Sequence, residues 1–464
     1  MAWFRNWAIF IMIASNGYID LSKQVIDSMP EAGFFKGCHW RCSPIPLVLN
    51  SKVKADLLRL GKVFAKFLIV CSLLYRQSIK GKQPTWVAEL LDKGKPDYLI
   101  SLQRHSKFIK ALPNIIRPDL LITEDGLVLT ELDNVPGGIG LTAWLNEVYS
   151  KIHKGNFQIL GGPDGMLNGF NSIFNGCNRV DIVVSAEADM YRPEMEWLAR
   201  RLNNLKPGMT NVRNYQVRDQ NYSSFVNGQG VYRFFELFDL DNVPSAKIIF
   251  EGAINGEIFV TPPPTSFIEE KMLMAFFWNQ NLEPFWRREL GDAYFYELRK
   301  LIPRSWLMDP SPLPPHAGIP GLDIPNWHQL KNFSQRQKEL IIKISGFSER
   351  AWGAKSVVLG SDVPAYVWAN TIDEALASFD KNPFILQEYK KPSRVPVIWY
   401  DADANQVMEG EGRVRLCPYY FFNGDIENIE VTLGGVLATI CPVEKKIIHG
   451  MSDAILVPCA YVDN

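Results

Sequence analysis

Cysteine is scarce and scattered in this chain. Seven residues are spread over 464 positions, and Cys38-x-x-x-Cys42, with His39 between, is the only close pair. No second pair follows at zinc spacing, so a structural zinc site is not expected. The odd, dispersed count suits reduced thiols and a cytoplasmic location. Excess charge is also missing. Forty-nine Lys and Arg balance 50 Asp and Glu, which gives no global field for nucleic acid. Long apolar runs are absent too: the N-terminal WAIFIMIA falls well short of the ~20 residues that span a bilayer. It reads as a buried helix or strand, with a cleaved signal as the lesser alternative. Neither a fixed-period repeat nor a low-complexity tract interrupts the chain.

What is present suits two or three globular domains. Hydrophobic residues make up 47% of the chain, and 13 Trp with 27 Phe imply a large aromatic core. The spacing of apolar residues over 52–76 predicts a long amphipathic helix, and a second is expected over Trp86–Leu91. Residues 102–112 carry Arg104, His105 and Lys107 as a solvated helical face. Another helix should follow Gly140, and Tyr191–Leu205 should form one that opens near Pro193. VDIVVSAEA, VYRFFELFDL, AKIIFEG and GEIFVTPPP read as strands, and their alternation with helices argues for a mainly parallel sheet. The proline-rich segment 308–328 marks a subdomain boundary.

The most informative stretch is Arg117–Gly138, RPDLLITEDGLVLTELDNVPGG. LLIT and LVLTEL are β-prone runs joined by Glu124-Asp125-Gly126, a hairpin signal. Glu131 and Asp133 are two residues apart, so they share one face, and a hairpin brings Asp119 alongside them. Three carboxylates on one face suit Mg²⁺, and Arg117 adds a fixed positive charge suited to phosphate or carboxylate. An ordinary solvated hairpin is the alternative. Pro136-Gly137-Gly138 forces a turn there and lets backbone approach a ligand.

Further along, Lys271 stands at the start of an apolar helix, where the dipole disfavours a cation. It pairs with Glu269 or Glu270, or it reaches a ligand. Arg233 and Glu236 interrupt an apolar run, as an internal ion pair or as substrate contacts. Lys343 lies inside LIIKI, and a lysine in a buried strand requires a partner or an anion. The loop Gly346 to Gly353 follows it and suits a phosphate cover, or is a plain hairpin. It is not the G-x-x-x-x-G-K-S/T loop. Residues 371–379 form a short helix. PFILQEYKK, GRVRLCPYYFFNG and TLGGVLATICP are strands, with Arg413 and Arg415 on one face of the second.

R-x-D, strand, turn, strand, E-x-D, then P-G resembles the magnesium-binding strands of ATP-grasp enzymes. Asp133 stands where an Asn is usual. The resemblance extends to Lys271, to Lys343 with the loop Gly346–Gly353, and to Gln387-Glu388-Tyr389 as the hinge beside adenine. One arginine, Arg415 rather than Arg413, would meet the phosphates. The carboxylates precede the lysines, loop and hinge. This order is similar to circularly permuted ATP-grasp proteins of the glutathionylspermidine synthase-like kind.

That resemblance implies an α/β (α+β) fold with mixed sheets and a β-rich lid. The expected division is a helical region at 1–100, an α/β unit at 101–305, and lid, hinge and closing strands at 306–464. It also implies a ligase that uses ATP and Mg²⁺ to join a small-molecule or peptide carboxylate to an amine through an acylphosphate. Asp119, Glu131 and Asp133 would hold metal. Lys271, Lys343 and Arg415 would meet phosphate, and Arg117 would sit nearest the acceptor carboxylate. No nucleic-acid or membrane partner is expected. A phosphotransferase and a catalytically silent nucleotide-binding scaffold are the alternatives.

Overall fold

The computed structural model describes residues 15–36, 40–205, 213–351, 353, 355–450 and 453–462. The N-terminal apolar run lies outside them, as do Cys38 and His39. Four helices lead the chain: α1 (Ser15–Asp27), α2 (Ser51–Ile79), α3 (Trp86–Asp92) and α4 (Asp97–Arg104). Asn50 caps α2 by accepting from the Val53 N–H at 2.8 Å. Val53, Leu57, Leu60, Phe64 and Phe67 recur every three or four residues and form its buried face. The Leu57 carbonyl accepts from the Tyr420 hydroxyl at 2.6 Å, which ties this helix to the largest sheet.

That sheet has eight strands. β1 (Leu47–Val48), β16 (Ile455–Tyr461), β15 (Glu430–Pro442), β14 (Gln406–Asn423), β2 (Ile115–Thr123) and β3 (Gly126–Asp133) follow one another across it. β4 (Gln158–Ile159) adds to β16, and β13 (Arg394–Asp401) pairs with the first half of β14. The hairpin β2–β3 therefore shares a sheet with strands from 394–461.

A second sheet is wholly parallel, in the order β6 (Asn214–Asp219), β5 (Arg179–Val184), β7 (Gln229–Phe234), β8 (Ile258–Thr261). Helices α5 (Ile139–Ile152), α6 (Gly165–Ser172) and α7 (Arg192–Asn203) precede or connect these strands. AKIIFEG is not a strand: it lies in helix α8 (Ser245–Ile254). Ala246, Ile249, Phe250 and Ala253 are its buried apolar side chains, at the spacing of one helical face, and that packing overrides the β-propensity of Ile-Ile-Phe. Likewise β7 stops at Phe234, and Leu237–Asn242 is a 3-10 turn.

The third sheet is antiparallel: β11 (Val358–Leu359), β10 (Leu340–Ile344), β12 (Phe384–Glu388), β9 (Ser305–Leu307). α9 (Met272–Trp278), α10 (Glu283–Leu290) and α11 (Asp292–Leu301) lead into it, and α12 (Ala365–Ala377) packs on it. SVVLG contributes only a two-residue strand. The architecture is thus mixed α/β with several sheets. The six described cysteines are all unpaired and buried. Among the described residues no helix is long and apolar enough to cross a membrane.

Candidate functional site

The three sheets meet around one cavity of about 310 Å³. Arg117, Asp119, Glu131 and Asp133 line it from the large sheet, together with Arg415. Lys343, Gln387, Glu388 and Tyr389 line it from the antiparallel sheet, and Gly346 and Gly353 from the loop beyond β10. Lys271 enters from the start of α9. Every residue singled out by the resemblance therefore faces the same space. The β2–β3 register explains the hairpin's share. Arg117 is directly opposite Asp133 and Asp119 opposite Glu131, so all four side chains fall on one face.

These groups are already paired with one another. Asp119 is held between two guanidinium groups, Arg117 Nε at 2.9 Å and Arg415 Nη1 at 2.8 Å. Burial alone would raise its pKa, but Arg117 and Arg415 outweigh burial and hold it below the usual value. Asp133 meets Arg117 Nη2 at 3.0 Å, yet burial, with Glu131 and Asp119 nearby, leaves its pKa raised. Arg413, two residues before Arg415, is held elsewhere by the carbonyls of Pro392 and Val443.

Lys271 pairs with neither Glu269 nor Glu270. Its Nζ reaches Glu131 at 2.7 Å. Burial would lower its pKa, and the Glu131 carboxylate more than reverses this. Glu269 instead binds Arg233 at 2.6 Å. That leaves Glu236 in the cavity lining with its pKa pushed up to about 8, first by burial and then by Glu269. Lys343 differs from Lys271. It donates to the Thr130 carbonyl at 2.8 Å and to Gln387 Oε1 at 2.9 Å, both neutral. With burial and Lys271 both opposing its charge, its pKa falls to about 7.

At the hinge, the N–H groups of Glu388 and Tyr389 are already used, by the carbonyls of Arg304 and Glu339. A base placed there meets carbonyls and side chains rather than those two donors.

The cavity has residues that no sequence signal indicated. His449 comes from the connection between β15 and β16, which lacks periodicity. Its pKa is lowered to about 4 by burial and by Arg415, so the ring is neutral at pH 7. Phe35, Tyr191 and Phe234 form an aromatic wall, with ring centroids 5.4 and 5.7 Å apart. Gly138 sits at the junction with α5 at φ 85, where its N–H donates to Glu194 Oε1 at 2.7 Å. A Cβ there would lie 2.5 Å from the Tyr419 hydroxyl oxygen. Gly138→Ala should therefore cost about 2 kcal/mol or more, from left-handed strain and overpacking together. Urea unfolding measures this, and a loss under about 0.5 kcal/mol, the scale of an ordinary surface change, would contradict it.

Arg415 Nε is buried without a hydrogen-bond partner, a donor suited to an incoming anion oxygen. For Mg²⁺ the donor set fits in part. Glu131 and Asp133 present hard oxygens, with 35% and 25% of their side chains exposed. Asp119 is 2% exposed and saturated by arginine, so it acts as a counter-ion rather than a ready ligand. Among the described residues no group of three His, Cys, Asp or Glu is placed to hold a metal alone. The fit is to a cation that takes Glu131 and Asp133 together with further oxygen ligands from outside the chain.

The architecture and cavity define a mixed α/β protein in which acidic and basic side chains meet in a cavity at a sheet junction. No family model matches the chain, and no curated protein is similar to it in sequence. Solved structures are. The chain matches the apo structure of a glutathione synthetase-like effector from Globodera pallida with a TM-score of 0.58 and 10% identity, covering 99% of this chain and 98% of that one. A protein from Methylobacillus flagellatus described as a gamma-glutamylcysteine synthetase gives a TM-score of 0.37 at 10% identity, over 83% and 87% of the two chains. At such identity the first likeness is one of fold.

Proposed function

We propose that this chain is an ATP-dependent ligase with a circularly permuted ATP-grasp arrangement, which joins a carboxylate to an amine through an acylphosphate. The observation that carries the reading is convergence. Lys271, Lys343 and Arg415, from three separate segments, face Glu131 and Asp133 across one cavity. The likeness in fold to a glutathione synthetase-like protein supports the same reading.

In this scheme Lys271 and Lys343 grip phosphate oxygens, and Lys271 exchanges its contact with Glu131 for one with the nucleotide. Glu131 and Asp133 would hold Mg²⁺, which supplies charge neutralisation on the phosphates. Arg117 orients the acceptor carboxylate for in-line transfer, and Asp119 keeps Arg117 and Arg415 in place. Attack by the carboxylate on the γ-phosphorus gives acylphosphate and ADP. The amine then displaces inorganic phosphate. No side-chain nucleophile is required. The aromatic wall of Phe35, Tyr191 and Phe234 excludes water from the labile intermediate.

The test is incubation with MgATP and a panel of small-molecule and peptide carboxylates with amines, following ADP and product mass. Ligation gives an amide, ADP and phosphate. A phosphorylated final product would indicate a phosphotransferase, and no ADP at all a silent scaffold. Glu131→Ala should keep most of the affinity for a non-hydrolysable MgATP analogue, within about tenfold, yet abolish turnover, because it removes metal-held transition-state geometry. Calorimetry beside a turnover assay checks the split. Equal loss of binding and turnover would rule it out.

A further inference from the structure

Glu270 does not line the cavity, yet it is bonded to the segment that joins the backbones of the two cavity lysines. Its carboxylate is 4% exposed and is held from two sides. Lys95, wholly buried on the connection between α3 and α4, donates to Oε1 at 2.6 Å. The Ser345 hydroxyl donates to Oε2. Ser345 is in turn bound to the start of α9. Its carbonyl accepts from the Lys271 N–H at 2.8 Å, and its hydroxyl accepts from the Met272 N–H at 2.9 Å. Ser345 directly follows strand β10, two residues after Lys343, and Gly346 comes one residue later. A Cβ on Gly346 would stand 2.9 Å from the Glu270 carboxyl carbon, so the loop leaves the sheet in contact with this group.

A buried ion pair adds little net stability, because desolvation offsets most of the attraction. Its geometry is directional, however, and each partner here belongs to a different element. We propose that Lys95, Glu270 and Ser345 form a positioning relay. It fixes the spacing of Lys271 and Lys343 and the departure of the loop 346–353. Anion affinity in the cavity then depends on Lys95, which contacts no ligand. The relay depends on the nucleotide reading only for the identity of the anion.

The test uses the full chain with Lys95→Met, Ser345→Ala and the double variant Lys95→Met/Glu270→Gln. Brief acetylation with a small reagent, read by peptide mass spectrometry, reports the accessibility of each lysine. Calorimetry with a non-hydrolysable MgATP analogue reports affinity. In Lys95→Met, acetylation of Lys271 and Lys343 should rise and analogue affinity should fall, each by about tenfold, as expected when coupled sites lose a shared constraint. Lys338, buried on the same sheet's approach but outside the relay, should not change. The double variant, with no unpaired carboxylate, should recover part of the affinity. Unchanged labelling of Lys271 and Lys343, or labelling that rises equally at Lys338, overturns the relay in favour of a merely structural pair. If Lys95→Met fails to fold, Ser345→Ala is read by the same criteria. If the wild type binds no analogue, the ligase reading falls, and the labelling pattern still decides the relay.

Discussion

Lys343→Met is expected to weaken binding of a non-hydrolysable MgATP analogue by tens-fold to about a hundredfold while making the apo protein more stable. The first effect is the loss of one charge-assisted phosphate contact, about 1.5–3 kcal/mol. The second follows from the lysine's surroundings. Lys343 is buried against two neutral acceptors and loses its proton at about 7 instead of 10.5. Between those values the unfolded chain binds more protons than the folded one, so stability rises with pH across that window. Below about 7 the penalty is complete, on the order of 4–5 kcal/mol before relaxation. Methionine removes it, so the gain in melting temperature should be larger at pH 6 than at pH 9. A gain that is flat with pH would count against the assignment. Binding should also take up close to one proton at pH 8, because a phosphate beside Lys343 restores its charge. Calorimetry in two buffers of different ionisation enthalpy reads that proton.

Asp119→Ala should be the most destabilising single change in the cavity. It leaves Arg117 and Arg415 facing each other with one carboxylate fewer, both of them drawn to Asp119 at 2.9 and 2.8 Å. Removing one member of a buried charged set typically costs about 3–5 kcal/mol. The pH dependence identifies the cause. Asp119 titrates below its usual value in the folded state, so its contribution is present above the unfolded pKa of about 3.9 and is lost as pH falls through the lower folded one. Asp119→Asn should therefore flatten that part of the acid limb of the unfolding curve. Denaturant titrations from pH 2 to 7 test this, and a loss below about 1 kcal/mol for Asp119→Ala would contradict the counter-ion role.

The hairpin was legible because two local rules agree there: period-two alternation and an Asp-Gly turn. Lys343 stood out because a single charge in LIIKI violates the strand's pattern. The partners of such residues were not legible. Lys271 has acids at its two preceding positions, yet its ion pair is with Glu131 on a distant hairpin, because tertiary packing decides which carboxylate arrives. His449 and Phe35 reach the cavity from segments with no periodic signal. The run AKIIFEG obeys strand propensity and helix spacing at once, and only burial of Ala246, Ile249, Phe250 and Ala253 decides between them.

The place of β2 in the large sheet has a consequence for how the molecule is made. Leu121 pairs with Arg415, 294 positions later by their numbers. At about 5–20 residues per second the ribosome needs roughly 15–60 s to deliver β14 after β2 has emerged. For that interval the β2 edge of the hairpin is open, and Asp119 lacks one of its two guanidinium partners. Long-range closure of this kind adds a loop-entropy cost that grows slowly with separation, and such non-local pairing slows folding. The cavity is thus completed only after Arg415, His449 and Leu456 have been synthesised.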